Sequence, residues 1–294
     1  MTGRLQEIGI IFLAGLAVAL LLVALGAAQA LPLPQHASNF EQRVMLIGTA
    51  DENMPRIANA ADVSAPLVVI DPGHGGFDPG AVAGSGLVEK DVVLELARSL
   101  RARLLQVGGV RVALTRDDDR FLPLQERTEV ARRLAADLFI SIHADSGGEE
   151  QNAAGATLYT LSQSASSGHA ARFAARENSA DVINGVRLGR RDETAAVVDT
   201  ILFELSQRRA QEQAVNFARL VVREGAGELQ FRDPARRTAA LVVLGAPDVP
   251  SVLIEAGFMT NPTEAERLAS PEGQTQFARI TASAVRSFFA QAER

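Results

Sequence analysis

From Leu67 onward, short β-forming runs alternate with segments of helical period, and few architectures accept that alternation. "LVVID" reads as a buried strand. "EKDVVLELARSLRARLLQ" repeats apolar residues at Val93, Leu96, Leu100 and Leu104, the spacing of one helix face. "VRVALTR" reads as a strand, and "PLQERTEVARRLAA" as a helix with Pro123 at its start. "DLFISIHAD" and "ATLYTLS" are further strands; "TAALVVLG" and "PSVLIEAGF" follow later, and "SPEGQTQFARITASAVRSFFAQ" closes the pattern with a helix. The reading is an α/β fold with a mixed, largely parallel sheet flanked by helices. One stretch breaks the rhythm. From about Ser166 to Gly225 the chain is helical in pattern, polar and rich in Arg, Glu and Gln. It predicts a helical segment, about 177–225, inserted into the domain.

The N-terminus carries a different signal. An apolar run extends from Ile8 to about Ala28, and "AQA" at Ala28–Ala30 has the small-x-small form of a signal-peptidase site. The run is longer than the ~7–15 residues of an ordinary signal core and approaches the ~20 that span a bilayer. Residues 1–30 therefore read as a cleaved signal peptide or a retained membrane anchor through 8–28. Either implies export. Residues 31–65 mix Pro, Asn, Ala and charge without lasting period. They read as a linker with a short strand at Arg43–Ile47, ahead of a main domain at 66–291.

Charge and cysteine content narrow the chemistry. The formal net charge is -6 and no basic tract occurs, so nucleic acid is not an expected partner. The chain has no cysteine, which removes disulfides, thiolate metal sites and thiol nucleophiles. Any bound metal must sit on His, Asp and Glu.

Three polar residues stand where apolar strands end: His74 after "LVVID", His143 ending "LFISIH" and Glu255 ending "SVLIE". Parallel order gathers such ends on one side of a sheet, where ligands bind. The glycine-rich loop after His74 can fold back and deliver Glu89, at the start of the first helix, to the same place. Two histidines and a carboxylate with one open position make a catalytic zinc arrangement, and a further carboxylate can serve as general base. Plainer readings stand beside this one. A strand-end histidine can be a satisfied core or surface residue. Glu89 can be a helix N-terminal carboxylate favoured by the macrodipole, and Glu255 a buried salt-bridge partner.

Four segments carry a resemblance: "VVIDPGHGGFDPGAVAGSGLVEKDVVLELA", "TRDDDRFLPLQERTEVARRLAADLFISIHADS", "RENSADVINGV" and "PSVLIEAGFMTNPTEAERL". In order and spacing, the chain from Leu67 to about Ala290 resembles the type-3 zinc-dependent N-acetylmuramoyl-L-alanine amidases, the bacterial cell-separation amidases. The resemblance implies zinc on His74, Glu89 and His143, with Glu255 as catalytic carboxylate. It implies hydrolysis of the amide between N-acetylmuramic acid and L-alanine in peptidoglycan, in the periplasm. Asp71 and Asp78 are expected to shape the loop and to stay out of the chemistry. Arg127 and Asp145 are expected either to support the ligands or to form structural salt bridges.

Two rivals remain at this level: a zinc peptidase acting on stem peptides, and an inactive module that binds the wall or an activator. The first would need an arginine near the metal for a terminal carboxylate, and no motif marks one. The second would be expected to lose a ligand or the glutamate. Within the family, an insertion covers the active site of members active in cell separation and is moved by an activator. The resemblance therefore implies that a carboxylate from the insertion fills the open zinc position, Glu177 of the "EN" pair first and Glu204 second; Glu177 as an exposed helical charge is the alternative. The apolar stripe Val197, Val198, Ile201, Leu202 and Leu205 is then either an activator's docking face or plain packing against the domain. No wall-targeting or repeat domain is recognisable beside the main domain, so targeting is expected from an anchor or a partner.

Overall fold

Six strands form one sheet in the order β2-β1-β3-β6-β4-β5. They are β1 (Leu67–Pro72), β2 (Arg111–Leu114), β3 (Leu138–Asp145), β4 (Ala156–Leu161), β5 (Phe231–Ala239) and β6 (Ser251–Phe258). In this computed structural model the described residues are 54–183 and 197–292, apart from 149 and 151, with side chains described for 54–179 and 205–291. Strands β2, β1, β3 and β6 run parallel, and β4 pairs antiparallel to β6 and parallel to β5. The mixed, largely parallel sheet expected from the alternation is present. Both β3 and β6 are buried along their whole length, as strands covered on both faces must be.

Helices cover each face. On one side α1 (Glu89–Val107), the second half of α4 (Val197–Glu224) and α6 (Pro271–Ala292) share a core with Ile70, Ile142 and Ile254. The predicted stripe Val93, Leu96, Leu100 and Leu104 faces that core. On the other side α2 (Leu124–Arg133) and α3 (Gly168–Ile183) pack on Val69, Phe139, Tyr159 and Leu253. A short helix, α5 (Pro262–Ala269), follows β6 and is capped by Asn261, whose side chain accepts from the amides of Thr263 and Glu264.

Two expectations are corrected. "TAALVVLG" is a strand only at Thr238 and Ala239, where β5 ends, and Val242–Leu244 forms a 3-10 turn whose Val243 and Leu244 fill the second core. As an edge strand β5 pairs on one side only, so it tolerates exposed charge and Pro234 and lacks an apolar alternation. The helical stretch expected as an insertion up to about 225 is, in its second half, a core helix. Ala214, Phe217, Ala218 and Val221 of α4 are buried in the first core.

The end of the expected linker docks on the sheet, where Ala58 and Val112 exchange backbone hydrogen bonds of 2.7 and 3.2 Å. The apolar run at 8–28, the expected strand at Arg43–Ile47 and the cleavage site lie outside the described residues. Among the described residues, no helix is long and apolar enough to cross a membrane.

Candidate metal centre

His74 stands two residues beyond β1, in a loop still tied to β3 by Gly73 N–H donating to Ile142 O at 2.9 Å. Its φ is +58°, a left-handed backbone that costs a non-glycine residue about 1–3 kcal/mol unless its surroundings enforce it. Two buried arginines enforce it. Arg127 donates to His74 O at 2.7 Å, to Pro72 O at 2.7 Å and to Asp71 Oδ1 at 2.9 Å. Arg116 donates to Gly73 O at 2.7 Å and to Pro72 O at 3.0 Å. Asp71 is held in turn by Thr115 and Ser141 hydroxyls at 2.6 and 2.8 Å. Gly73 has no alternative here: a Cβ on it would lie 2.4 Å from the His143 ring.

Glu89 opens α1 and is 3 % exposed. Its carboxylate leaves its own helix uncapped and reaches across the site. Oε2 accepts from Ala81 N–H at 2.8 Å and Oε1 from Ala144 N–H at 2.9 Å. Gly80 makes room, since a Cβ there would meet Glu89 Oε2 at 2.6 Å and His74 Cδ2 at 2.7 Å. The glycine-rich loop therefore does fold back and set Glu89 beside His74.

Glu89 Oε1 lies 3.0 Å from His74 Nε2 and 3.3 Å from His143 Nδ1. Both nitrogens are buried and neither has a hydrogen-bond partner. Orphaned buried polar atoms are costly, and three donors within 4.8 Å of one another can hold a metal ion. Donors about 2.0–2.1 Å from a tetrahedral ion stand roughly 3.3 Å apart, so the two separations from Glu89 Oε1 fit one. The His74 tautomer suits metal binding, because Nδ1–H donates to Asp78 Oδ2 at 2.9 Å and leaves the Nε2 lone pair for a cation. Electrostatics agree. Burial disfavours charge on His74, but Glu89 and Asp78 outweigh it and raise its pKa well above the ordinary value. Burial likewise disfavours the Glu89 carboxylate, and the imidazoles outweigh it and depress its pKa. The cluster favours positive charge at its centre.

Glu255 sits opposite His143 in the β3–β6 register, so both side chains leave the same face of the sheet. It is 1 % exposed, and both carboxylate oxygens lack a hydrogen-bond partner. Burial, then the negative charges of Asp145, Glu89 and Glu177, push its pKa well above the usual carboxylate range. That is the environment of a group suited to accept a proton.

Glu177, on α3, enters from the opposite direction. Its Oε2 lies 3.4 Å from His143 Nδ1 and 3.8 Å from His74 Nε2. Arg176 spans the cluster, donating to Asp145 Oδ1 at 2.5 Å and to Glu177 Oε1 at 3.2 Å. The space left beside His74, His143, Phe121, Leu122 and Glu177 is a cavity of about 10 Å³, room for about one water.

The structure thus brings together His74, Glu89, His143 and Glu177, with Glu255 on the neighbouring strand. Glu177 is buried rather than an exposed helical charge. The Glu204 side chain, and those of Val197, Val198, Ile201 and Leu202, lie outside the described residues; Leu205 is exposed. Arg127 braces the His74 loop through a buried ion pair with Asp71. Asp78 departs from expectation, because it contacts His74 directly. Its position four residues after the histidine in a tight turn was the available signal. Arg176 was also missed, an ordinary helical arginine until the fold sets it against Asp145.

The comparisons agree with this geometry. The sequence model of the N-acetylmuramoyl-L-alanine amidase family matches residues 68–287. The chain is 38% identical over 227 residues to the N-acetylmuramoyl-L-alanine amidase AmiA of Salmonella typhimurium, covering 77% of each. It is 38% identical over 224 residues to AmiA of Escherichia coli, covering 76% of each. A solved N-acetylmuramoyl-L-alanine amidase of Nostoc punctiforme superposes with a TM-score of 0.53 at 31% identity, over 78% of this chain and 98% of that one. A match of this extent, on a sheet that gathers His74, Glu89 and His143, places the chain among the type-3 N-acetylmuramoyl-L-alanine amidases, enzymes of peptidoglycan breakdown.

Proposed function

We propose that this chain is a zinc-dependent amidase held inactive at rest by its own Glu177. It cleaves the bond between N-acetylmuramic acid and L-alanine when daughter cells separate. The observation that carries this reading is the position of Glu177 Oε2, 3.4 and 3.8 Å from the two orphaned histidine nitrogens. That is where a fourth ligand to an ion on His74, Glu89 and His143 would stand.

His74, Glu89 and His143 would hold the zinc ion, which would supply Lewis acidity to the site. The rest falls to the chain. Asp78 fixes the His74 tautomer, and the Ala81 and Ala144 amides fix the Glu89 carboxylate. Glu255, buried and unpartnered, takes the proton of the attacking water and returns it to the departing amino group of alanine. Arg176 retains Glu177 and Asp145 while the site is closed.

Release needs α3 to withdraw. A protein activator docking on the first half of α4 would supply that motion, and the exposure of Leu205 supports such a face. The apolar run at Ile8–Ala28 supports export to the periplasm, with or without a retained anchor.

The test uses purified sacculi. Wild-type and Glu177→Ala proteins are assayed for soluble muropeptides, with and without chelator, and new termini are identified. New N-terminal L-alanine, lost with chelator and with Glu255→Gln, is the expected outcome. New C-termini within the stem peptide would make the enzyme a peptidase instead.

A further inference from the structure

Beside the metal centre lies an aromatic surface that the closed site does not use. Phe77 is 64 % exposed, although it sits only three residues from His74. Its ring lies 4.4 Å, centroid to centroid, from that of Phe121, tilted by 30°. Phe121 is half-buried and lines the small cavity with His74, His143 and Glu177. The pair thus runs continuously from the ligand cavity to solvent.

The surface is held rigidly. Gly75 and Asp78 exchange backbone hydrogen bonds of 3.0 and 3.1 Å around Phe77. Gly76 N–H donates to Asp119 Oδ1 at 2.9 Å, and Lys90 Nζ donates to Gly76 O at 2.8 Å. The two loops touch so closely that a Cβ on Gly75 would lie 2.2 Å from Arg120 O. Exposed Asp119 and half-buried Arg120, which precede Phe121 in the chain, form a polar rim. An exposed ring on a backbone held by these hydrogen bonds can receive a ligand at low ordering cost.

We propose that the Phe77–Phe121 pair is a glycan subsite that stacks against the pyranose face of an N-acetylhexosamine in the peptidoglycan strand. A pyranose presents C–H groups on its face and hydroxyls at its edge. The C–H groups match the negative face of a phenyl ring, and the hydroxyls match the Asp119–Arg120 rim. The proposal rests on the amidase reading. In that substrate the sugar joins the scissile carbonyl through a short lactyl arm, so a sugar ring must lie beside the metal centre. An anionic membrane is a poor occupant, because Lys90 in this rim is already paired to Asp119 at 2.6 Å.

The chain has no tryptophan, so Phe77→Trp places its one indole, excitable apart from Tyr159, on the subsite. Glycan strands stripped of stem peptides should shift its emission to the blue in a saturable manner, and free stem peptide should not. Retention of Phe77→Ala on insoluble stripped glycan should fall about tenfold, and Phe77→Tyr should retain most binding. No shift with glycan, or a shift with stem peptide alone, overturns the subsite. Failure of the amidase reading shows separately, as sacculi that yield no N-terminal L-alanine.

Discussion

Gly73 and His143 are separated by no more than a missing methyl group: a Cβ on Gly73 would lie 2.4 Å from the His143 ring. The glycine is therefore a component of the candidate metal centre, although it offers no ligand atom to it. Gly73→Ala should displace the His143 imidazole while leaving the sheet folded. Zinc content is expected to fall well below one ion per chain, with far-ultraviolet circular dichroism unchanged. Full zinc loading of the folded variant would count against the geometry.

Asp78 bears on affinity. It holds His74 through Nδ1 at 2.9 Å, and partners of this kind typically change metal affinity about 10–100-fold. Asp78→Ala should weaken zinc binding by that order in competition with a chromogenic chelator. Asp78→Asn should recover part of the loss. Equal affinities in all three proteins would return Asp78 to the loop-shaping role that the sequence suggested.

Arg127 bears on stability. Its pair with Asp71 is almost fully buried, and removing one partner of a buried pair costs about 3–5 kcal/mol. Arg127→Ala should lower the urea midpoint accordingly and release the His74 loop. A midpoint within error of wild type would show that the pair is dispensable.

Acid should weaken the fold through His169. Burial, then the positive charge of Arg237, lowers its pKa, and its Nδ1 lies 3.1 Å from Arg237 Nη1. Below the unfolded value of about 6.5 the unfolded chain binds the extra proton, so stability falls as pH drops through that value. The loss levels off below the depressed folded pKa. His169→Gln should flatten this part of the stability profile, read as urea midpoints across mildly acidic pH. An unchanged profile would assign the dependence to other groups.

Much of this site was legible because it sits at the ends of apolar runs. His143 and Glu255 interrupt apolar strand patterns, His74 closely follows one, and parallel order brings such ends together. Glu89 was legible as the first acidic residue of a strongly periodic helix. Asp78 and Arg176 were not, since their partners are set by a tight turn and by the docking of α3, neither of which has a periodic signature. Strand β5 escaped for a related reason. An edge strand with one neighbour needs no apolar alternation, and the apolar "LVVL" beside it drew the assignment instead.

The central claim is that Glu177 completes the coordination of a zinc ion in the resting enzyme. Anomalous diffraction at the zinc edge, from crystals of the full resting protein, tests it most directly. The account predicts one zinc ion within bonding distance of His74 Nε2, His143 Nδ1, Glu89 and Glu177, with no solvent in the fourth position. An ion on the first three residues with water in place of Glu177, or no ion at this site, would contradict it.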